Sequence, residues 1–392
     1  MHNNLLIFGG GILQLSIILR AREMGFRTIV IDPDPNAIAK IHADLFLEVG
    51  SLDYTGTKHI ASKYDVKGLV TTATDNPILM MCRIAEVLNL PFPAYTSCEK
   101  LLDKGKFKDF LFENKLPHAE GKVYDYFNKI DSTKFIYPVI VKPVKNAGSR
   151  GVLKCDQQDM LNDTIQETLV FCKNGRFIIE KYIPGDEISV EAIVLNHQVQ
   201  IIQITDKIVT PPPYNVELGH IQPSKYTYLK SHLQEFVQKI VDKISLNNCA
   251  IHPEFKIKND QITIIEMGPR LGGDFITSHL VPLSTGINIE DAAIKIATGQ
   301  PVNLNYIESA SMISYLNFPI DIEVKYSISE KEIKNSFPEL VKFQMSVSPG
   351  TRIKPITNSL NRYGYFILQG SNTDFLIQKK KELELFLLGK LF

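Results

Sequence analysis

The 392-residue chain has few cysteines, no excess of charge and no long apolar run, and each shortage excludes a class of protein. Its five cysteines, Cys82, Cys98, Cys155, Cys172 and Cys249, are scattered, odd in number and without a CxxC pair. That argues against a disulfide framework or a zinc site and fits a reducing cytoplasm. The 43 basic and 43 acidic residues cancel, so no global field recruits nucleic acid or an anionic membrane surface. Any charged ligand must be held by local groups. No stretch approaches about 18 apolar residues, and MHNNLLIFGG lacks a basic region ahead of a long apolar run, so neither a membrane span nor a signal peptide is expected. There is no internal repeat, no low-complexity tract and no recognisable catalytic triad.

What is present is typical of a globular protein with a large core: 44% hydrophobic and 22% charged residues, in a chain long enough for about two to four domains. LLIFGGG is an apolar run closed by glycines, ILQLSIILRAREMG has helical periodicity ending at Gly25, and FRTIVIDPDP and KGLVTTATDN are further apolar runs, which together predict a parallel α/β unit. Gly9, Gly11 and Asp32 fit part of a dinucleotide fingerprint. Gln14 occupies the third glycine position. An NAD-dependent oxidoreductase is therefore disfavoured against glycines that let the chain turn tightly onto a helix.

Beyond residue 95 the pattern changes. TSCEKLLDKGKFKDFLFENKLP reads as a helical connector, after which Pro117 leads into strands. In FIYPVIVKPVKNAGSRGVLKC a strand ends at Pro143, and a loop with Gly148, Ser149 and Gly151 returns to a second strand. Lys142 adds a positive charge and the glycines admit close backbone approach, the makings of a phosphate cradle, although no GxxxxGK[ST] P-loop is present. A solvated hairpin is the plain alternative. RFIIEKYIPGDEISVEAIVLN places Glu187, Ser189 and Glu191 on one strand face by the two-residue period. Those polar groups need partners, either a ligand's hydroxyls or water.

CAIHPEFKIKNDQITIIEMGPR reads as a hairpin whose acids, Glu254 and Glu266, fall where a core prefers apolar groups. A two-residue turn at Asn259-Asp260 groups Phe255 and Ile257 with Ile262 and Ile264, the tidier core, but puts Glu254 opposite Ile265 and the acids on opposite faces. A three-residue loop, Asn259 to Gln261, makes Glu254 face Glu266.

Taken in order, an α/β N-terminal region, DK at 103–104, VKP with NAGSRGV at 141–152, EKYIPGDEISVE at 180–191, HPEF at 252–255 and IEMGPRLGG at 265–273 resemble the ATP-grasp superfamily over most of the chain. The loop 205–224, with DK and then ELGHIQPS, resembles the branch containing L-amino-acid ligases and related carboxylate–amine ligases. The resemblance implies a multidomain protein of α/β and α+β class: a Rossmann-like parallel α/β domain (1–94), two α+β ATP-grasp subdomains (95–184 and 185–305) and a C-terminal α+β cap (306–392).

It further implies that Lys104 and Lys142 contact ATP phosphates, that residues 145–152, with Ser149 and Gly151, form a mobile lid, and that Glu180, Lys181, Tyr182 and Ile183 are the linker reading adenine while Glu187 holds the ribose. Glu254 and Glu266 become the carboxylates for Mg²⁺, or Mn²⁺ in its place, through an odd-residue loop or a bulge near Asn259 to Gln261. Gly268 stands where many family members carry Asn. Arg270, Lys142 and His220 are the catalytic candidates, and Glu217, His220, Arg270, Gly272 and Gly273 the substrate-side group.

The implied activity is an ADP-forming ligase that joins small-molecule carboxylate and amine substrates through an acyl phosphate, with an amino acid as one substrate. The alternatives are a bicarbonate-using carboxylase or carbamoyl-phosphate-type enzyme and a nucleotide-binding module without catalysis. A homodimer is left open.

Overall fold

The computed structural model of the protein describes residues 3–50, 52–125, 130–146, 148, 150–172, 174–211 and 214–392. The N-terminal segment runs β1 (Asn4–Phe8), α1 (Leu15–Glu23), β2 (Arg27–Asp32), β3 (Leu45–Glu48), α2 (Tyr54–Lys63), β4 (Val66–Thr71) and α3 (Ile78–Leu88). Its strands form a parallel sheet in the order β3-β2-β1-β4. All of β1 and the centre of β2 are buried, as continuous apolar runs are when helices cover both faces of a sheet.

The glycine turn after β1 is filled from within. Gln14 Oε1 accepts from the Gly11 N–H at 3.2 Å and Gln14 Nε2 donates to the Thr72 carbonyl at 2.7 Å. A Cβ on Gly9 or Gly11 would lie 3.1 or 3.0 Å from that side chain. Asp32, the acid a dinucleotide ribose would need, accepts from the Gly10 N–H at 2.7 Å. These glycines serve a turn wrapped around Gln14, which removes the ground for the oxidoreductase reading.

Next come α4 (Tyr95–Leu102), α5 (Lys104–Glu113), β5 (Gly121–Asp125), β6 (Val139–Pro143), β7 (Leu153–Cys155), α6 (Leu161–Leu169) and β8 (Arg176–Lys181). The strands make an antiparallel sheet ordered β5-β8-β6-β7. Asp103 caps α5 by accepting from the Gly105 and Lys106 N–H groups at 3.0 and 3.1 Å, which fixes Lys104 as the first helical residue.

The remainder comprises β9 (Asp186–Leu195), β10 (Gln198–Val209), β11 (Glu217–Gln222), α7 (Lys230–Ile244), β12 (Cys249–Lys258), β13 (Gln261–Gly268), α8 (Val281–Thr285), α9 (Ile289–Ala297), β14 (Ala310–Tyr315), α10 (Glu330–Ser336), β15 (Leu340–Met345), β16 (Gly364–Gly370) and α11 (Thr373–Leu391). Its strands form one sheet ordered β13-β12-β9-β10-β11-β14-β16-β15. The proposed boundaries at 94 and 184 fall between sheets; the one at 305 falls between strands of this single sheet. The apolar stripe of α7, Leu233, Phe236, Val237, Ile240, Val241 and Ile244, packs with Ile188, Val190, Phe255 and Ile257 in one core. The two-residue period therefore turns Glu187, Ser189, Glu254 and Lys256 to the opposite face.

The junction of α1 and α9 yields a stability prediction. Ser16 Oγ donates to Glu290 Oε2 at 2.6 Å, Arg20 forks onto Asp291 at 2.9 and 2.6 Å, and Glu290 Oε1, which is buried, has no partner among the described residues. Burial pushes the Glu290 carboxyl up to about 7 from its ordinary 4.5. With the folded-state value raised, stability from this group is full below pH 4.5 and is lost as pH rises through 7. Glu290→Gln should raise the thermal midpoint at pH 8, by the equivalent of about 3 kcal/mol at most, and change it little at pH 5. A difference independent of pH would refute the assignment.

Candidate active site

The hairpin of β12 and β13 resolves the conflict between core and acids with a bulge. Asn259 and Asp260 form a two-residue turn at φ 48° and 62°, and the tidy pairs follow, Ile257 opposite Ile262 and Phe255 opposite Ile264. One step further the register shifts and Glu254 lies opposite Glu266. Ile265 is thus the extra residue of a β-bulge, and core-facing positions on β13 step from Ile264 to Met267, both 1% exposed. Without it, Glu266 would enter the core and Met267 leave it. Burying an unpaired carboxylate costs several kcal/mol, and exposing the methionine about 1.5–3 kcal/mol more. The expected odd loop near Asn259 to Gln261 is corrected: the turn is the two-residue one, and the bulge sits at the far end of the strand.

The face carrying both acids continues as a row of charge across the sheet. Lys256 lies opposite Glu187, Glu187 opposite Lys207, and Lys207 opposite His220. Lys207, which the sequence reading did not single out as a site residue, is central. Its ammonium lies 2.8 Å from Glu254, 3.2 Å from Glu217 and 3.9 Å from Glu187. Burial alone would depress its pKa, but the three acids raise it well above the ordinary lysine value. Glu266 pairs with Lys104. His252 contacts Glu191 at 3.0 Å through Nδ1 and Glu254 at 3.3 Å through Nε2. Against the opposing effect of burial, Glu191 and Glu254 push the imidazole up to about 9. Glu191 and Ser189 therefore find partners inside the protein. Against burial, Lys207 and His252 hold the Glu254 carboxyl well below its ordinary range.

Glu254 and Glu266 are the residues that would hold a divalent cation. The donor set fits, because two facing carboxylates each already engage an ammonium, and Mg²⁺ usually takes only one or two carboxylates besides water and phosphate oxygens. Among the described residues no three His, Cys, Asp or Glu side chains converge as a closed metal site. Gly268 lies opposite His252 and adds no side-chain ligand.

A cleft of about 470 Å³ separates the two antiparallel sheets. One wall carries Ile140, Lys142, Val152, Lys181, Tyr182 and Ile183, the other Glu187, Lys256 and the bulged Ile265. Lys142 and Lys108 share the buried Glu180 carboxylate at 2.5 and 2.7 Å; it is held ionised by both lysines against burial. The linker's amides are partly committed, Lys181 N–H to the Glu120 carbonyl at 2.8 Å and Tyr182 N–H to that of Pro138 at 3.2 Å. That leaves the Ile183 N–H as the linker donor without a backbone partner among the described residues. Gly148, Arg150 and Val152 also line the cleft. Gly151 does not: its φ of +74° admits the turn, and a Cβ there would meet Phe171 at 2.8 Å. Ser149 lies outside the described residues.

The far end of the cleft is made of paired charges. Arg270 donates through Nε to Asp75 at 2.7 Å and through Nη1 to the Leu271 carbonyl at 3.1 Å. Arg362 grips Asp274 with both terminal nitrogens, at 2.8 and 3.0 Å, and lies 3.6 Å from the centre of the Tyr315 ring. It also reaches the Glu217 carbonyl at 3.3 Å. His220, 2% exposed, places Nε2 3.5 Å from Asp274. Burial would raise the Asp274 carboxyl, and His220 with Arg362 more than reverses this. Leu13, Ala73, Gly273, Ile276 and Leu360 also line the cleft. Gly272 is packed against His252 and Glu191, 2.7 and 2.9 Å from a Cβ built there, and does not face the cleft. Asp274 and Arg362 were missed because they meet only through the fold. Arg362 belongs to the C-terminal region and had no motif to mark it.

A sequence profile for the ATP-grasp domain matches residues 135–278, the span that holds both cleft walls and the acid hairpin. The chain carries an ATP-grasp domain. It is 23% identical over 267 residues to the carbamoyl phosphate synthase arginine-specific large chain of Bacillus subtilis, a match covering 64% of this chain and 25% of that protein. The chain thus spans about a quarter of that relative. The L-amino acid ligase of Bacillus licheniformis superposes with a TM-score of 0.80 at 19% identity, over 98% of this chain and 97% of that one. The biotin carboxylase domain of the Hydrogenobacter thermophilus 2-oxoglutarate carboxylase, solved with MgADP, ADP and bicarbonate, superposes with a TM-score of 0.74 at 17% identity, over 98% and 89%. The chain has the fold of these two structures, and among its described residues no helix is long and apolar enough to cross a membrane.

Proposed function

We propose that this ATP-grasp domain makes the chain an ATP- and Mg²⁺-dependent carboxylate–amine ligase with an amino acid as a substrate. The observation that carries the reading is the bulge that turns Glu266 to face Glu254 in a cleft whose other wall carries Lys142. ATP lies between Ile140 and Ile265, with its adenine at the Ile183 N–H and its ribose at Glu187. Bound at Glu254 and Glu266, Mg²⁺ supplies charge neutralisation on the triphosphate. Lys104 and Lys142 add positive charge where the phosphoryl group is transferred, so little covalent chemistry is asked of side chains. The substrate carboxylate attacks the γ-phosphorus and ADP leaves; the amine attacks the acyl carbon, phosphate leaves and the amine's proton is released.

At the far end the paired charges suit a zwitterion. Arg270 faces a carboxylate or the oxyanion, Asp274 and Glu217 an ammonium, and Leu13, Ala73 and Ile276 the side chain. Both arginines are already neutralised by Asp75 and Asp274, which disfavours a multiply charged anion. Likeness to a bicarbonate-bound carboxylase keeps bicarbonate as the second reading.

The test is phosphate release from ATP with pooled amino acids, with and without bicarbonate. Release with amino acids alone is expected. Strict dependence on bicarbonate would favour the second reading, and no release under any condition a module without catalysis. By calorimetry MgATP should bind and NADH should not, since Gln14 fills the glycine turn.

A further inference from the structure

The two acids that would hold the metal are each engaged by a lysine, and the two lysines are held differently. Lys207 projects from the C-terminal end of β10, a strand that lies between β9 and β11, with three carboxylates within 3.9 Å. Side-chain rotation alone lets its ammonium leave Glu254 and stay paired with Glu217 and Glu187. Lys104 begins α5 and, among the described residues, has one ion-pair partner, Glu266. Lys256 also holds Glu187 at 2.9 Å and His252 holds Glu254 at 3.3 Å, yet with Glu191, Glu266 and Lys104 included the described cluster sets five carboxylates against four cationic groups, a residual negative charge that a further cation would relieve.

We propose that Lys207 and Lys104 act as built-in competitors of the divalent cation, holding Glu254 and Glu266 until metal arrives and then turning to other acids or to phosphate oxygens. The inference rests on those acids being the metal pair. The exchange is charge for charge: two ammonium contacts are given up for one divalent ion, with no change in the backbone. It makes metal binding weak without nucleotide, because Glu266 is the ion-pair partner of Lys104 among the described residues and nearby Asp75 is already held by Arg270, so the displaced ammonium is best satisfied once phosphates are present. Nucleotide and metal therefore load together.

The probe is Mn²⁺ binding in the absence of nucleotide, read by the electron paramagnetic resonance signal of free Mn²⁺. Lys207→Met and Lys104→Met should each bind Mn²⁺ at least about tenfold more tightly than the unaltered protein, whereas Lys207→Arg, which keeps the charge, should not. A purely structural role predicts the opposite sign, since losing a buried partner would loosen the site and weaken metal binding. Unchanged or weaker Mn²⁺ binding in folded Lys104→Met overturns the proposal even if Lys207→Met fails to fold. Glu266→Gln separates the two levels. If it leaves Mn²⁺ binding intact the metal pair itself is wrong, whereas if it weakens binding while the lysine variants do nothing, only the exchange is wrong.

Discussion

Glu266→Gln is expected to lower ATP-dependent turnover by roughly 10²–10³-fold, the range for removing one preorganised electrostatic group from a site of charge transfer. The bulge at Ile265 makes the case. A strand that kept its register would bury Met267's neighbour at no functional gain; this one inserts a residue so that Glu266 faces Glu254 while Met267 stays in the core. Relief of repulsion between two bare carboxylates is not expected to stabilise the variant, because each acid holds an ammonium. A change in stability within about 1 kcal/mol is anticipated, as for a partly exposed ion pair, measured by thermal unfolding beside a coupled assay for ADP. Full turnover in a folded Glu266→Gln protein would remove the metal pair, and with it the reading of the cleft.

That hairpin also shows how far the sequence could be read. Alternation in β12 and the apolar pair Ile262 and Ile264 gave the correct core and the correct turn, while the spacing of the acids demanded a different register. Both were right over their own part of the strand. The signal that reconciles them was available, since Met267 follows Ile264 by three residues and Glu266 falls on the Ile262–Ile264 period. Reading it required treating a bulge as local to the far end. The strand face of Glu187, Ser189 and Glu191 was legible for the same reason that alternation is legible, but its partners were not. Ser189 donates to Glu191 two residues on, and Glu191 is held by His252, sixty-one residues away. Lys207 belongs to the DK of the 205–224 pattern, but nothing in that pattern says which acids it will meet, and Arg362 lies almost ninety residues from Asp274. Local pattern encodes elements and faces; it does not encode which charged side chains from separate strands will share one cleft.

The largest remaining effect is expected at Arg270, and its magnitude depends on how the N-terminal domain holds it. Nε is committed to Asp75 and Nη1 to the Leu271 carbonyl, so the guanidinium is presented in one orientation. Asp75 follows β4, whose end is pinned by Gln14 on the Thr72 carbonyl and by the Ala73 N–H on the Leu271 carbonyl at 3.2 Å. The turn that resembles a dinucleotide fingerprint thus acts as a strut behind the arginine. Arg270→Lys keeps the charge but loses the fork, and should cut kcat by roughly 10²–10³-fold while leaving MgATP affinity within a factor of about two. Asp75→Asn keeps the arginine and loosens its aim, so kcat/KM for the carboxylate substrate should fall roughly tenfold with the KM for ATP unchanged. Measured together, the two variants distinguish contact from positioning. An Asp75→Asn enzyme with the kinetics of the unaltered protein would show that the N-terminal domain does not orient Arg270, and an Arg270→Lys enzyme that loses ATP binding instead of turnover would move Arg270 from the acyl end of the cleft to the phosphates.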